Sequence, residues 1–91
     1  MKIRYTPAAF ASLQEIISYI NAHHPQRARN VLARIKATID RLENFPHIGI
    51  LTDKPETRRI AALPYPYLIF YKVTDEEIII RSVRHAARKP E

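Results

Sequence analysis

Residues 65–90 read YPYLIFYKVTDEEIIIRSVRHAARKP, and this stretch decides the fold. Two runs rich in β-branched and aromatic residues, 67–73 and 78–84, flank a short acidic turn, which predicts a β-hairpin. In the first run both alternating sets of side chains are apolar, which indicates a strand covered on both faces. The second run leads into a basic tip that contains His85. Packing does not require such a tip, so it is a candidate for function.

The two-residue period of a strand divides the second run between two faces. Ile78 and Ile80 share one face. The other face holds Ile79, Arg81, Val83 and His85. A helical hairpin covers only one face of so small a sheet. We therefore expect a partner protein or a substrate to cover the second face, whose apolar part is Ile79 and Val83.

The sequence before this hairpin predicts a strand, two helices and one more strand. Residues 2–5 alternate as a strand does, and Thr6-Pro7 is typical of an N-cap followed by proline at the first helical position. Apolar residues then recur at helical spacing, Pro25 opens a second helix, and a Phe-Pro segment near residue 45 stops it. The short link predicts an antiparallel helical hairpin. With a strand at about 57–63, the predicted fold class is α+β, in the order β-α-α-β-β-β, with a small antiparallel sheet packed on the hairpin.

Length and composition limit the function classes. Ninety-one residues form one domain, 1–91, around a single core. The chain has no cysteine, which excludes disulfides and thiolate chemistry. Fifteen Lys and Arg against nine Asp and Glu give a net charge of +6, which favours polyanions or an acidic protein as partner. The sequence shows neither a signal peptide nor an apolar stretch of membrane-spanning length, so a cytoplasmic protein is expected.

The candidate catalytic residues are Arg59, Arg81 and His85. Arginines bind phosphates bidentately and an imidazole moves protons near neutral pH, so together they suit RNA phosphodiester cleavage. Arg59 reaches the same face as Arg81 if Ile60 and Ala62 face the helices. The alternative is that His85 only terminates its strand and that the arginines are solvated. The adjacent pair His23 and His24 lacks a second pair at metal spacing, so neither a metal site nor a cofactor is expected.

Five short motifs follow one another along the chain: Pro-x-x-Ala at residues 25–28, Leu-x-x-Phe-Pro-x-x-Gly at 42–49, Arg-x-Ile at 58–60, Tyr-Pro-Tyr-Leu-Ile-Phe-Tyr at 65–71 and Val-x-His-x-x-Arg-x-Pro at 83–90. Their order resembles the RelE/ParE superfamily of type II toxin–antitoxin toxins. The resemblance covers nearly the whole chain. It implies an acidic antitoxin that wraps and blocks the toxin, in a hetero-oligomer. We expect the antitoxin to contact Ile79, Val83, Arg84, Arg88 and Lys89.

The resemblance also implies one of two targets. ParE-like members poison DNA gyrase and are not nucleases, whereas RelE-like members cleave mRNA in the ribosomal A site. The nuclease branch commonly has an arginine at the start of the strand that here begins with Tyr67, and this chain has none. Tyr-Pro-Tyr and His-x-x-Arg-x-Pro are more typical of the ParE branch. The sequence therefore favours a gyrase inhibitor, and a ribosome-dependent endoribonuclease using Arg59, Arg81 and His85 is the alternative.

Overall fold

A computed structural model describes residues 1–87 of the chain. Two helices pack on one face of a five-stranded sheet. In chain order the elements are β1 Lys2–Tyr5, α1 Pro7–Asn21, α2 Pro25–Arg41, β2 Ile50–Leu51, β3 Thr57–Ala61, β4 Tyr67–Val73 and β5 Glu77–His85. The predicted fold class and its helical hairpin are confirmed, and β4 has the predicted bounds.

Both helices begin where the sequence predicts, for the predicted reason. The Thr6 side chain accepts a hydrogen bond of 3.0 Å from the backbone N–H of Ala9, and Pro7 is the first residue of α1. Pro25 is likewise the first residue of α2. The apolar stripes of the two helices then pack against the sheet, and Val31, Ile35 and Ile39 of α2 are fully buried.

The sheet differs from the prediction in two respects: it is mixed and not purely antiparallel, and it has a fifth strand, β2. Its strand order is β1-β5-β4-β3-β2, and all neighbours are antiparallel except β1 and β5, which run parallel. Parallel strands require a long crossover, and the helices with the next three strands provide it. The two-residue strand β2 is absent from the prediction, because two residues are too few to show an alternation. β3 ends at Ala61, two residues earlier than predicted, and β5 extends to His85.

The helix-facing side of the sheet forms the core. Ile69 and Tyr71 of β4 and Ile78 and Ile80 of β5 are fully buried there. Within the described residues the opposite side carries no helix, and we call it the open face. Leu68, Phe70 and Ile79 on this face are only partly buried.

A β-bulge at Arg81 determines which side chains of β5 reach each face. Phe70 pairs with Ser82, but its neighbour Tyr71 pairs with Ile80, so Arg81 is an extra residue in β5. Beyond the bulge the alternation shifts by one residue. Val83 therefore lies in the core with 2% of its surface exposed, and the prediction that it shares a face with Ile79 is wrong.

Ser12 of α1 fixes the backbone directly after this bulge. Its Oγ accepts a hydrogen bond of 3.0 Å from the N–H of Val83 and donates one of 2.9 Å to the carbonyl oxygen of Ala9. A partly buried amide is thus paired by a side chain that is distant in sequence. The helix and the bulge therefore stabilise each other.

Replacing Ser12 by alanine is expected to lower the free energy of unfolding by about 1–2 kcal/mol, because the N–H of Val83 loses its partner. Urea denaturation measures the change. Ser18→Ala is the matched control, since Ser18 is exposed on the same helix and alanine is the better helix former. Equal stability of the Ser12 and Ser18 variants would show that Ser12 does not support the bulge.

Candidate binding pocket on the open face

The open face contains a pocket of about 260 Å³. Strands β3, β4 and β5 form its floor, and the loop before β3 forms one wall. Its lining residues are Thr52, Asp53, Lys54, Thr57, Arg59, Leu68, Phe70, Arg81, Ser82, Arg84 and Ala86. The described lining therefore combines apolar side chains with four basic ones and a single carboxylate, that of Asp53.

Sheet register brings Arg59 into this pocket. Arg59 pairs with Phe70, which in turn pairs with Ser82, so these residues lie in one row across the open face. Arg58 lies on the opposite face, where its guanidinium donates hydrogen bonds of 2.8 Å and 3.2 Å to the carbonyl oxygens of Gly49 and His47. The sequence left the choice between the two arginines open, and the register decides it.

The floor holds an aromatic ring beside a cation. The guanidinium carbon of Arg84 lies 6.0 Å from the ring centroid of Phe70, at the limit of a cation–π contact. With Leu68 beside the ring, this arrangement offers apolar surface next to positive charge. Such a pocket can bind a phosphate or carboxylate that is attached to an apolar or planar group.

Two cations outside the pocket, Arg4 and Lys72, are paired with carboxylates. Arg4 forms an ion pair of 2.9 Å with Glu77, and the hydrogen bond from Arg4 lowers the pKa of that carboxyl. Lys72 lies 3.3 Å from a carboxylate oxygen of Glu56. Within residues 1–87, in contrast, none of the three pocket arginines lies within ion-pair distance of a carboxylate. Their charges are available to a ligand.

His85 does not lie in the pocket. It pairs with Tyr67 on the helix-facing side, where the two rings meet edge to face with centroids 5.3 Å apart. Its Nδ1 accepts a hydrogen bond of 3.1 Å from the N–H of Ala87. The predicted placement of His85 on the face of Arg81 is therefore wrong, and the bulge is again the reason. Of the three candidate catalytic residues, the structure brings together only Arg59 and Arg81.

The residues predicted to contact a partner lie in different places. Ile79 is partly buried on the open face, opposite Lys72, and Arg84 lines the pocket. Val83 is in the core, where 2% exposure is too little for contact with a partner. Arg88 and Lys89 lie outside the described residues.

Sequence reasoning missed Lys54 and Phe70 as pocket residues. The alternation in β4 does place Phe70 on the face away from the helices, and that was the available signal. Lys54 lies in an irregular loop, and no local pattern assigns such a residue to a face. Across residues 1–87 no three His, Cys, Asp or Glu side chains group as metal ligands. No helix in that range has the length and hydropathy needed to cross a membrane.

The chain is similar in sequence and in fold to known proteins. Residues 3–90 match the model of a family described as "ParE toxin of type II toxin-antitoxin system, parDE". Toxin Y4kP of Sinorhizobium fredii is 34% identical over 85 residues, covering 93% of this chain and 88% of that protein. Toxin RelE2 of Caulobacter vibrioides is 34% identical over 87 residues, covering 96% and 97%. A chain of the chromosomal ParDE system from P. aeruginosa has the same fold, with a TM-score of 0.83 at 20% identity over 93% of this chain and 95% of that one.

Proposed function

Since the chain belongs to the ParE/RelE family of type II toxin–antitoxin toxins, we propose that it arrests growth by poisoning DNA gyrase and that a cognate antitoxin neutralises it. In this proposal the chain is a single toxin domain that acts in the cytoplasm. It acts by binding and not by bond cleavage.

The position of His85 favours gyrase over mRNA as the target. Cleavage of a phosphodiester by Arg59, Arg81 and His85 requires the imidazole within hydrogen-bond reach of the same phosphate as the arginines. The bulge turns His85 to the helix-facing side, while both arginines face the pocket. The described lining of the pocket contains no imidazole. This separation, together with the match to the ParE family, supports a protein that binds its target.

The pocket also supports an antitoxin as partner. Its arginines form no ion pair with any carboxylate of residues 1–87, and they lie beside partly exposed Leu68 and Phe70. An acidic segment with an apolar side chain would therefore match both the charge and the apolar surface of the pocket. Ile79 extends the apolar surface along the open face. We propose that Ile79, Arg84 and the terminal Arg88 and Lys89 contact that segment.

Expression of the chain without its antitoxin tests the target. We expect induction of the DNA-damage response and filamentation, with mRNA intact. Purified protein should inhibit supercoiling by gyrase or accumulate cleaved gyrase–DNA complexes. Co-expression of the neighbouring antitoxin gene is the control and should restore growth. Codon-phased cuts in mRNA at the ribosomal A site, with gyrase unaffected, would contradict the gyrase proposal.

One observation favours the mRNA endonuclease as a second candidate. Arg59 and Arg81 line a single pocket with Lys54, so three cations can contact one phosphate. If the chain cleaves mRNA, Arg59→Gln with Arg81→Gln should abolish cleavage. His85→Ala should then reduce the rate by about 10²–10⁴-fold only if that histidine acts as the general acid.

A further inference from the structure

Helix α2 carries most of the net charge of the chain. Five of its residues are Lys or Arg and one is Asp, which gives +4 of the total +6. The basic C-terminal tip is more conspicuous in the sequence, with a charge of +3 from residue 81 onward. The helical charge is less conspicuous in sequence because apolar core residues separate the cations.

Three arginines of α2 lie in one line. Arg27, Arg34 and Arg41 recur every seven residues, so in a helix they are about 10.5 Å apart and within about 40° of one another around the axis. All three are exposed, and within residues 1–87 none forms an ion pair with a carboxylate. We call them the arginine stripe. It is about 21 Å long.

The other side of α2 carries charges of both signs. Asp40 lies about 100° around the helix from Arg41, on the side of Arg29 and Lys36. Its negative charge contributes to the raised pKa of Tyr5, whose largest cause is burial of the phenol. The stripe side has no carboxylate in α2. The two sides of one helix thus carry cations at equal spacing, and only one side is purely basic.

A groove runs beside the stripe, between α2 and the turn from β3 to β4. Its volume is about 480 Å³, and it is lined by Asn30, Ala33, Arg34, Ala37, Pro64 and Tyr65. The guanidinium of Arg27 lies 5.3 Å from the ring centroid of Tyr65, which holds that cation beside the groove. Small side chains on the helix let a long polyanion approach the backbone closely and provide few apolar anchors for a protein.

We propose that the arginine stripe of α2 binds the phosphate backbone of duplex DNA. Duplex DNA carries one phosphate charge per about 1.7 Å of its axis, so a line of arginines spaced about 10.5 Å apart meets phosphates along its whole length. A guanidinium binds a phosphate bidentately, and without base contacts the binding is independent of sequence. The stripe lies on the helical layer and the arginine pocket on the opposite face of the sheet. This site therefore goes beyond the proposed function and requires neither gyrase nor an antitoxin.

Fluorescence anisotropy of the purified full-length chain with a duplex of about two helical turns tests the proposal. Three phosphate contacts give a slope of log affinity against log salt of about −2.7, so affinity should fall about 40-fold between 50 and 200 mM salt. The double variant Arg27→Gln with Arg34→Gln should keep one phosphate contact. Its DNA affinity should then fall only about 3.5-fold over the same salt range.

The matched control is Arg29→Gln with Lys36→Gln, which removes the same charge at the same spacing from the mixed side of α2. We expect this pair to retain the salt dependence of the unchanged chain. Thermal unfolding checks that both pairs are folded. The proposal would be overturned if both double variants lost salt dependence equally, or if the unchanged chain did not bind DNA at 50 mM salt. Poly-glutamate is a further probe. If it binds the unchanged chain more tightly than DNA does, and if the Arg27→Gln with Arg34→Gln pair loses this binding, the stripe is a protein-binding surface and the proposal is overturned.

Discussion

Val83→Asp is expected to prevent folding. Val83 is 2% exposed and lies between the sheet and the helical hairpin, in the apolar cluster that includes Ile69 and Ile80. An unpaired carboxylate there costs several kcal/mol, a large part of the 5–15 kcal/mol that stabilises a domain of this class. Circular dichroism and the dispersion of the amide NMR spectrum measure the loss of structure.

Ile79→Asp is the matched control, because uninterrupted alternation would place both residues on the same face. In the structure Ile79 is only partly buried and lies between Arg4 of β1 and Lys72 of β4, so a carboxylate there remains near water and cations. We expect this variant to fold with a loss of about 1 kcal/mol. Its affinity for the antitoxin should fall. An equal loss of folded structure in the two variants would contradict the bulge at Arg81.

Tyr71→Phe is expected to lower the free energy of unfolding by about 2–4 kcal/mol, since two backbone groups lose their partner. The Tyr71 hydroxyl donates a hydrogen bond of 2.9 Å to the carbonyl oxygen of Pro46 and accepts one of 2.8 Å from the N–H of Gly49. These two hydrogen bonds hold the segment after α2 against the sheet. Urea denaturation measures the loss. Tyr19→Phe is the control and should change stability by less than about 0.5 kcal/mol, because Tyr19 is 76% exposed.

The same hydroxyl makes stability depend on alkaline pH. Burial raises the pKa of Tyr71, although the Gly49 amide and Arg58 partly oppose this shift. The folded state therefore holds this proton more tightly than the unfolded state. The resulting stability is complete below the unfolded pKa of about 10 and is lost as pH rises through the folded pKa. Tyr71→Phe should flatten this decline and leave the part due to Tyr5, whose pKa is also raised. An unchanged decline in the variant would show that Tyr71 does not cause it.

The Leu-x-x-Phe-Pro-x-x-Gly motif illustrates how far the sequence reaches. The pattern correctly predicts that a Phe-Pro segment stops the second helix. It does not show why glycine ends the motif. In the structure a Cβ on Gly49 would lie 2.5 Å from the Tyr71 hydroxyl and 2.8 Å from the carbonyl oxygen of Arg59. The requirement for glycine comes from two strands that only the tertiary structure brings close.

The sequence by itself determined both helices and four of the five strands, because those signals are local. Thr6-Pro7 and Pro25 set the helix starts, and apolar residues on both faces of residues 67–73 identified a central strand. The motif order also determined the family. These features depend on neighbours a few residues apart, so they can be read along the chain.

The tertiary structure decided which side chains meet. One extra residue, Arg81, moves Val83 into the core and His85 away from the arginine pocket, because every side chain after a bulge changes face. What stabilises that extra residue is not local: the N–H of Val83 is paired by Ser12, 71 positions earlier in the chain. A period of two can be read from sequence, but its interruption depends on a partner strand and a helix that are adjacent only after folding.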